Sequence, residues 1–264
     1  MIYIGTSGYS YDDWVGPFYP EGMNQRDFLA YYAHRFRCVE VNYTYYRMPD
    51  ARTLAAMSAK TPADFRFSIK ANQEMTHERG GDKAGLFSQF VAALAPLRAQ
   101  GKFACVLAQF PHSFKCTRAS VDYLRVFREL IPTDVPTVIE FRDRSWVRDQ
   151  TFEFLRQQGL GFCCVDQPNF PSLLPPLAVA TAPVAYVRFH GRNRAKWWQH
   201  EQAWERYDYL YSREELQEWV GKVKHLAAEA QEVYVFFNNH YNAQAVQNAL
   251  QFAELLEEDT GQAH

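Results

Sequence analysis

Eight short apolar segments recur along this chain of 264 residues, and nearly all of them are separated by segments with the apolar spacing of helices. Such alternation is typical of a parallel sheet that is covered on both faces. Eight strand–helix units predict a closed (β/α)8 barrel of the TIM type, for which about 250 residues is an ordinary length. The predicted strands begin at residues 2, 38, 65, 103, 137, 160, 184 and 233.

We expect one domain over residues 1–264. Residues 71–85 form a predicted polar loop, and the sixth connection, residues 169–183, is predicted to be irregular because proline disrupts helices. A doubly wound open sheet is the alternative, but Gly5-Thr6-Ser7-Gly8 lacks the spacing of a glycine-rich phosphate loop. The predicted helices cover residues 25–37, 50–60, 86–99, 118–130, 149–158, 212–230 and 243–257.

The composition limits the class of protein. A formal charge of -2 argues against a chain that is basic overall, although a local basic patch stays open. No apolar stretch reaches the roughly 20 residues that cross a bilayer, and a first strand that begins at Ile2 leads us to expect no signal peptide. The five cysteines form no CxxC pair, which favours buried, reduced thiols. We therefore expect a cytoplasmic protein.

The fifth predicted strand, from Thr137, ends abruptly in charged residues. Because side chains alternate along a strand, Glu140 and Arg142 fall on one face, opposite Ile139 and Phe141. Burying a carboxylate and a guanidinium costs desolvation energy, and functional sites are one common reason for that cost. We expect the two residues to pair, either as a structural ion pair or as part of a site.

Polar or ionisable residues end every predicted strand. In a (β/α)8 barrel the carboxyl ends of the strands converge on one face, where the active sites of these enzymes lie. The pattern therefore predicts a polar pocket at the C-terminal mouth of the barrel. The residues at the strand ends are Thr6 and Ser7, Glu40 and Asn42, Lys70, Gln109, Glu140 and Arg142, Asp166, Arg188 and His190, and Asn238, Asn239 and His240.

We predict an enzyme that acts at this mouth on an anionic substrate, such as one that carries phosphate. Glu140 or Glu40 is the predicted general acid or base, with its pKa set by burial against nearby cations, and His190 is predicted to assist proton transfer. Hydrolysis is the commonest chemistry that fits these groups, and lyase or isomerase chemistry fits as well. The predicted substrate-binding residues are Asn42, Lys70, Gln109, Arg142, Arg188, Arg192, Asn238 and Asn239.

A bound divalent metal ion is a further hypothesis. Carboxylate and imidazole groups from separate strands assemble metal sites at barrel mouths, although the chain has no short ligand motif such as HExxH. The candidate ligands are Glu40, Glu140, Asp166, His190 and His240.

The segment of residues 192–211 supports an alternative function. It interleaves cations such as Arg192, Arg194 and Lys196 with aromatic residues such as Trp197 and Trp198. Cations beside aromatic faces suit phosphate together with a stackable ring. The alternative is a non-catalytic protein that binds nucleic acid or nucleotides through this loop.

Several motifs resemble those of a known family. They are Gly5-Thr6-Ser7-Gly8 with Tyr11, Trp14, Gly16 and Phe18-Tyr19-Pro20; Val39-Glu40-Val41-Asn42 with Tyr45-Tyr46 and Pro49; Phe67-Ser68-Ile69-Lys70; Gln109-Phe110-Pro111 with Phe114; Glu140-Phe141-Arg142 with Ser145-Trp146; Arg188-Phe189-His190-Gly191-Arg192; and Phe237-Asn238-Asn239-His240. With these motifs the chain resembles the YecE-like family, domain of unknown function 72. The resemblance implies a TIM-type barrel with its site at the mouth, and it implies no particular reaction.

Overall fold

A computed structural model describes residues 1–261, and within them eight parallel strands close into a barrel in sequence order. The first strand pairs with both the second and the eighth, which closes the sheet. The predicted (β/α)8 architecture is confirmed. The strands are β1 (Ile2–Ser7), β2 (Cys38–Val41), β3 (Arg66–Lys70), β4 (Phe103–Gln109), β5 (Thr137–Glu140), β6 (Leu160–Asp166), β7 (Val184–Phe189) and β8 (Glu232–Phe237).

Helices connect most of the strands and cover the outside of the barrel. Side-chain caps fix several of their ends: Thr117 accepts a hydrogen bond from Ser120 N, and Ser212 forms a capping box with Glu215. The helices are α1 (Phe28–Tyr32), α2 (Tyr43–Tyr46), α3 (Ala51–Ala59), α4 (Gln73–Thr76), α5 (Lys83–Ala93), α6 (Ala95–Ala99), α7 (Arg118–Leu130), α8 (Asp149–Gln158), α9 (Arg213–Glu229) and α10 (Gln244–Gly261).

Two connections differ from their prediction. The helix predicted for residues 25–37 is a 3-10 turn, Gln25–Asp27, followed by the short α1, after which the chain runs in turns to the buried Phe36. The loop predicted for residues 71–85 contains α4 and the start of α5. Both helices begin at polar caps, since Asn72 accepts from Glu74 N and Asp82 accepts from Gly85 N.

The sixth connection is irregular, as predicted. Residues 167–183 contain no helix, and their backbone pairs with the rest of the fold through an isolated bridge between Asp143 and Leu173. Of the helices within residues 1–261, none is long and apolar enough to cross a membrane.

Candidate active site

Arg188, on β7, lies between two buried carboxylates at the C-terminal end of the barrel interior. Its Nη1 donates to Glu140 Oε2 at 2.6 Å, and its Nη2 donates to Glu40 Oε1 at 2.7 Å. The side chains of Glu40 and Glu140 are 0% exposed, and that of Arg188 is 2% exposed. The pairs tie together β2, β5 and β7, three strands that are not neighbours in the barrel.

Glu140 has two further donors. Arg142 Nε lies 2.9 Å from Glu140 Oε1, and His190 Nε2 lies 3.0 Å from the same oxygen. Burial alone would raise the pKa of Glu140, but Arg142 and Arg188 outweigh it and hold the pKa well below its usual range. Glu140 is therefore an ionised anchor with both oxygens occupied, which suits it poorly to the acid or base role predicted from sequence.

His190 is fully buried and neutral. Burial, with Arg142 beside it, lowers its pKa to about 3. Because the Glu140 carboxylate only accepts, Nε2 carries the ring proton, and Nδ1 accepts from Asn238 Nδ2 at 3.2 Å. This arrangement fixes one tautomer and keeps His190 buried beneath the mouth of the barrel.

Glu40 connects this network to the middle of the barrel. Tyr186 donates its hydroxyl to Glu40 Oε2 at 2.8 Å, and the Ser68 hydroxyl lies 2.8 Å from that of Tyr186. Neither Tyr186 nor Ser68 was predicted as a site residue, although Ser68 lies in the motif Phe67-Ser68-Ile69-Lys70. The signal was present for Tyr186, which precedes Arg188 by two residues and so shares its face of β7. We call Glu40, Glu140, Arg188 and His190 the ionic network.

A cavity of about 290 Å³ lies above the ionic network. Three cationic side chains, Lys70, Arg142 and Arg188, line it, and no carboxylate of the described chain does. Glu40 and Glu140 lie behind the arginines. This is the mouth cavity, and its lining residues are Tyr11, Asn42, Tyr46, Lys70, Gln109, Arg142, Arg188, Ala203, Trp204, Tyr207, Asn238 and His240.

Among the residues that the structure describes, Lys70, at the end of β3, is the cation of the mouth cavity that has no carboxylate partner. Its Nζ lies 4.7 Å from the centre of the Tyr45 ring, and within residues 1–261 it makes no ion pair. Burial, and then the charge of Arg188, lower its pKa to about 8. A substantial neutral fraction of this amine therefore exists near pH 8.

Aromatic residues cover the mouth cavity. Trp204 stacks on Tyr241 with the ring centres 4.2 Å apart, and Tyr11 stacks on His240 at 4.6 Å. The segment that carries Trp204 leaves β7 through Gly191, whose φ is +86°. A side chain at that position would place its Cβ 2.8 Å from Tyr209 Cβ, so the close approach requires glycine.

A second cavity, of about 250 Å³, adjoins the first and lies beneath the segment that carries Trp204. The two share Gln109, Arg142 and Tyr207 in their linings. The second adds histidines and tryptophans, among them His112 and the half-exposed Trp198. Arg142 therefore reaches both compartments.

Two residues predicted to bind substrate lie elsewhere. Arg192 makes a two-pronged contact with Asp166, at 2.9 and 2.8 Å, and also pairs with Glu218 on α9. Asn239 is buried and donates from Nδ2 to Tyr209 O and to Asn248 Oδ1. Arg192 therefore connects β6 to α9, and Asn239 connects Tyr209 to α10. Neither residue lines the mouth cavity, although the sequence predicted that both bind substrate.

The candidate metal ligands do not converge. Asp166 accepts from Arg192, Tyr211 and Trp219 on the outer side of the sheet, while Glu40, Glu140 and His190 are held within the ionic network. Among residues 1–261, no group of three His, Cys, Asp or Glu side chains is arranged to share a metal ion. The donor set does not fit the metal hypothesis.

A larger groove, of about 490 Å³, lies between α7 and α8 on the outside of the barrel. Its lining includes Arg118, Arg125 and Arg148, of which Arg118 and Arg125 already pair with Asp122 on their own helix. The groove lies away from the strand ends, where active sites of this fold are built.

The family described as "Protein of unknown function DUF72" matches residues 3–264. Among curated relatives, the UPF0759 protein YunF of Bacillus subtilis (strain 168) is 35% identical over an alignment of 272 residues, gaps included, which covers 97% of this chain and 95% of YunF. The UPF0759 protein YecE of Escherichia coli (strain K12) is 32% identical over 98 residues, which are 37% of this chain and 34% of YecE.

Solved structures agree with these relatives. A DUF72 family protein from Thermotoga maritima MSB8 superposes with a TM-score of 0.90 at 45% identity, covering 97% of this chain and 99% of that one. Another, from Enterococcus faecalis V583, gives 0.87 at 29% identity, covering 97% and 96%. D-Psicose 3-epimerase from Clostridium cellulolyticum H10 gives 0.51 at 8% identity, covering 97% and 96%, and shares the fold alone. The chain therefore belongs to the DUF72 family of proteins of unknown function.

Proposed function

We propose that this protein is an enzyme that acts in the mouth cavity on a small anionic substrate, with phosphate as the favoured anionic group. One observation carries the proposal: three cations and no carboxylate of the described residues line the cavity. Two carboxylates, Glu40 and Glu140, lie behind the three cations, so one positive charge remains for a ligand while Lys70 is protonated. An anion that enters supplies the missing counter-charge.

Arg142 is the principal anion-binding group in this proposal. Its Nε is committed to Glu140, and the bond fixes the guanidinium plane. A guanidinium has five N–H donors in a planar fork, so the donors at Nη1 and Nη2 suit two oxygens of a phosphate or carboxylate. The side chain is 12% exposed, which leaves it within reach of the cavity.

The proposal moves acid–base chemistry from the predicted residues to Lys70. Glu140 and His190 are occupied with each other and with the arginines, and Glu40 is occupied by Arg188 and Tyr186. Their role is to hold the cations in place before the substrate arrives, which is the way fixed charges assist catalysis. Lys70 lines the cavity with a pKa of about 8, close to the operating range of a proton carrier.

Unpartnered polar atoms support a hydroxylated substrate. Asn42 Oδ1 and His240 Nδ1 are buried in the cavity wall, and neither has a hydrogen-bond partner in the described chain. Buried polar groups cost free energy unless they are paired. Hydroxyl groups beside the anionic group would pair with them.

A substrate panel tests the proposal. Phosphomonoesters, phosphodiesters and uncharged glycosides are assayed with the wild type, with Arg142→Met and with the control Arg118→Met in the exterior groove. We expect turnover of a phosphate-bearing substrate that falls about a hundredfold or more in Arg142→Met and stays unchanged in Arg118→Met. Turnover of uncharged glycosides alone, or full activity in Arg142→Met, would contradict it.

A further inference from the structure

Lys70 and Lys102 provide an informative contrast. Burial lowers the pKa of both amines. Lys102, at the opposite end of the barrel, donates to Ser58 O, Thr61 O and Thr61 Oγ1 at 2.7 to 3.2 Å, which uses its three N–H groups. Lys70 shows no such set within residues 1–261, and its Nζ faces the Tyr45 ring and the mouth cavity.

Burial favours the neutral form of Lys70. It is the main cause that lowers the pKa of the amine, and the charges of Arg188 and Arg142 act in the same direction, whereas those of Glu40 and Glu140 act to raise it. Both carboxylates are bound to donors other than Lys70: Glu140 to Arg142, Arg188 and His190, and Glu40 to Arg188 and Tyr186. Desolvation beside other cations is an established way in which proteins activate an amine as a nucleophile.

We propose that Lys70 forms an imine with the carbonyl carbon of an anionic aldehyde or ketone whose anionic group is held by Arg142. This inference rests on the proposed function and names the reactive group of its substrate. It makes Lys70 a catalytic residue and Arg142 the residue that positions the carbonyl.

The chemistry balances without a cofactor. The neutral Nζ attacks the carbonyl carbon, and a carbinolamine forms as the C–N bond replaces the C=O double bond. The carbinolamine loses its oxygen as water, which takes both amine hydrogens, and a C=N bond remains. Protonation of that nitrogen gives an iminium ion, an electron sink that facilitates proton loss or bond cleavage at the adjacent carbon. No oxidant or reductant is consumed.

Borohydride trapping tests the inference. Pyridoxal 5'-phosphate is an aldehyde that carries phosphate. It is incubated, at less than one molar equivalent, with the wild type, Lys70→Arg and Lys102→Arg. Borohydride then reduces the imine, and the labelled peptides are identified by mass spectrometry. We expect label at Lys70 to exceed that at any other lysine by at least about tenfold at pH 8, because far more of its amine is neutral. Lys70→Arg should lose this label, and Lys102→Arg should retain it.

Pyridoxal without the phosphate, and competition by inorganic phosphate, test the anionic part. Both should lower the labelling of Lys70 at least about tenfold if Arg142 holds the phosphate. Equal labelling by pyridoxal, or label spread over exposed lysines with no excess at Lys70, would overturn the inference. The peptide map of the wild type shows whether label is concentrated at Lys70, even if Lys70→Arg fails to fold.

Calorimetry with inorganic phosphate distinguishes a failure of this inference from a failure of the proposed function on which it rests. Phosphate binding that depends on Arg142, without trapping at Lys70, would leave the proposed function intact and remove the imine. Absence of both would remove both.

Discussion

Arg188 Nη1 lies 2.6 Å from Glu140 Oε2 beneath the mouth cavity, and both side chains are almost completely buried. A buried charge pair of this kind gains little stability over an apolar pair, but it becomes costly when one member is removed. Because the same guanidinium also contacts Glu40, the contact holds a cationic group fixed under the cavity.

Glu140→Gln should destabilise the protein by about 3–5 kcal/mol, because Arg142 and Arg188 lose their shared counter-charge in a buried site. The double variant with Arg142→Met should regain only part of this loss, since Arg188 and His190 still face the neutral amide. Urea denaturation measures the free energy of unfolding of all three. As a control, Asp122→Asn removes exposed ion pairs on α7 and should cost no more than about 1 kcal/mol. Equal losses in the control and in Glu140→Gln would contradict the prediction.

Stability should fall as the pH drops below about 6.5, the ordinary pKa of histidine. Folded His190, with a pKa of about 3, stays neutral where the unfolded chain takes up a proton, so acid favours unfolding. The pKa of Glu140 is also lowered, but its contribution is lost only below the ordinary value of 4.5. The window between pH 6.5 and 4.5 therefore reports on the histidines.

Replacement of His190 isolates its share of this effect. His190→Asn should reduce the slope of unfolding free energy against pH by up to about 1.4 kcal/mol per pH unit in that window, the value for one proton. Part of the slope should remain, because the pKa values of His77 and His240 are also lowered. His225→Asn, at an exposed position on α9, serves as the control. An unchanged slope in His190→Asn would show that His190 is not held neutral.

Binding of single-stranded nucleic acid by the loop of residues 192–211 should be weak. Arg192 is paired with Asp166 and Glu218, and Lys196 lies 2.7 Å from Glu205 Oε2. Phosphate contacts would have to break these pairs. Fluorescence anisotropy with a labelled oligonucleotide should show little salt-sensitive binding, and the combined change of Arg192, Arg194 and Lys196 to Met should alter it little. Tight binding that weakens steeply with salt, and that this triple variant abolishes, would instead establish the alternative function.

The barrel and the strand-end residues could be predicted from sequence, because the spacing of apolar residues and the alternation of side chains depend only on the order of residues within each segment. The same alternation could have placed Asp166 and Asn239 on the outer face of the sheet, away from the mouth cavity. Asp166 shares its face with Cys164, whose thiol contacts Val179 O outside the barrel, and Asn239 shares its face with the buried Phe237 in the outer layer.

Other features were beyond the reach of sequence reasoning. Alternation along a strand would place Arg192 on the same face as Arg188. Gly191, between His190 and Arg192, has a positive φ that changes the direction of the chain before Arg192. The role of Glu140 depends on how many donors surround it, which is a property of packing between distant strands. The pairing of Glu140 with Arg142 could be predicted from their positions on one strand. The partners that other strands contribute could not be predicted in this way.

Anion binding in the mouth cavity is measured most directly by soaking crystals in selenate and locating the selenium by anomalous diffraction. We expect an anion within hydrogen-bonding distance, about 3 Å, of Lys70 Nζ and the Arg142 guanidinium. The peak should be absent from crystals of Arg142→Met that retain the wild-type fold. Selenate bound only at exterior arginines such as Arg118 and Arg148, with nothing at Lys70 or Arg142, would contradict the assignment of the mouth as an anion site.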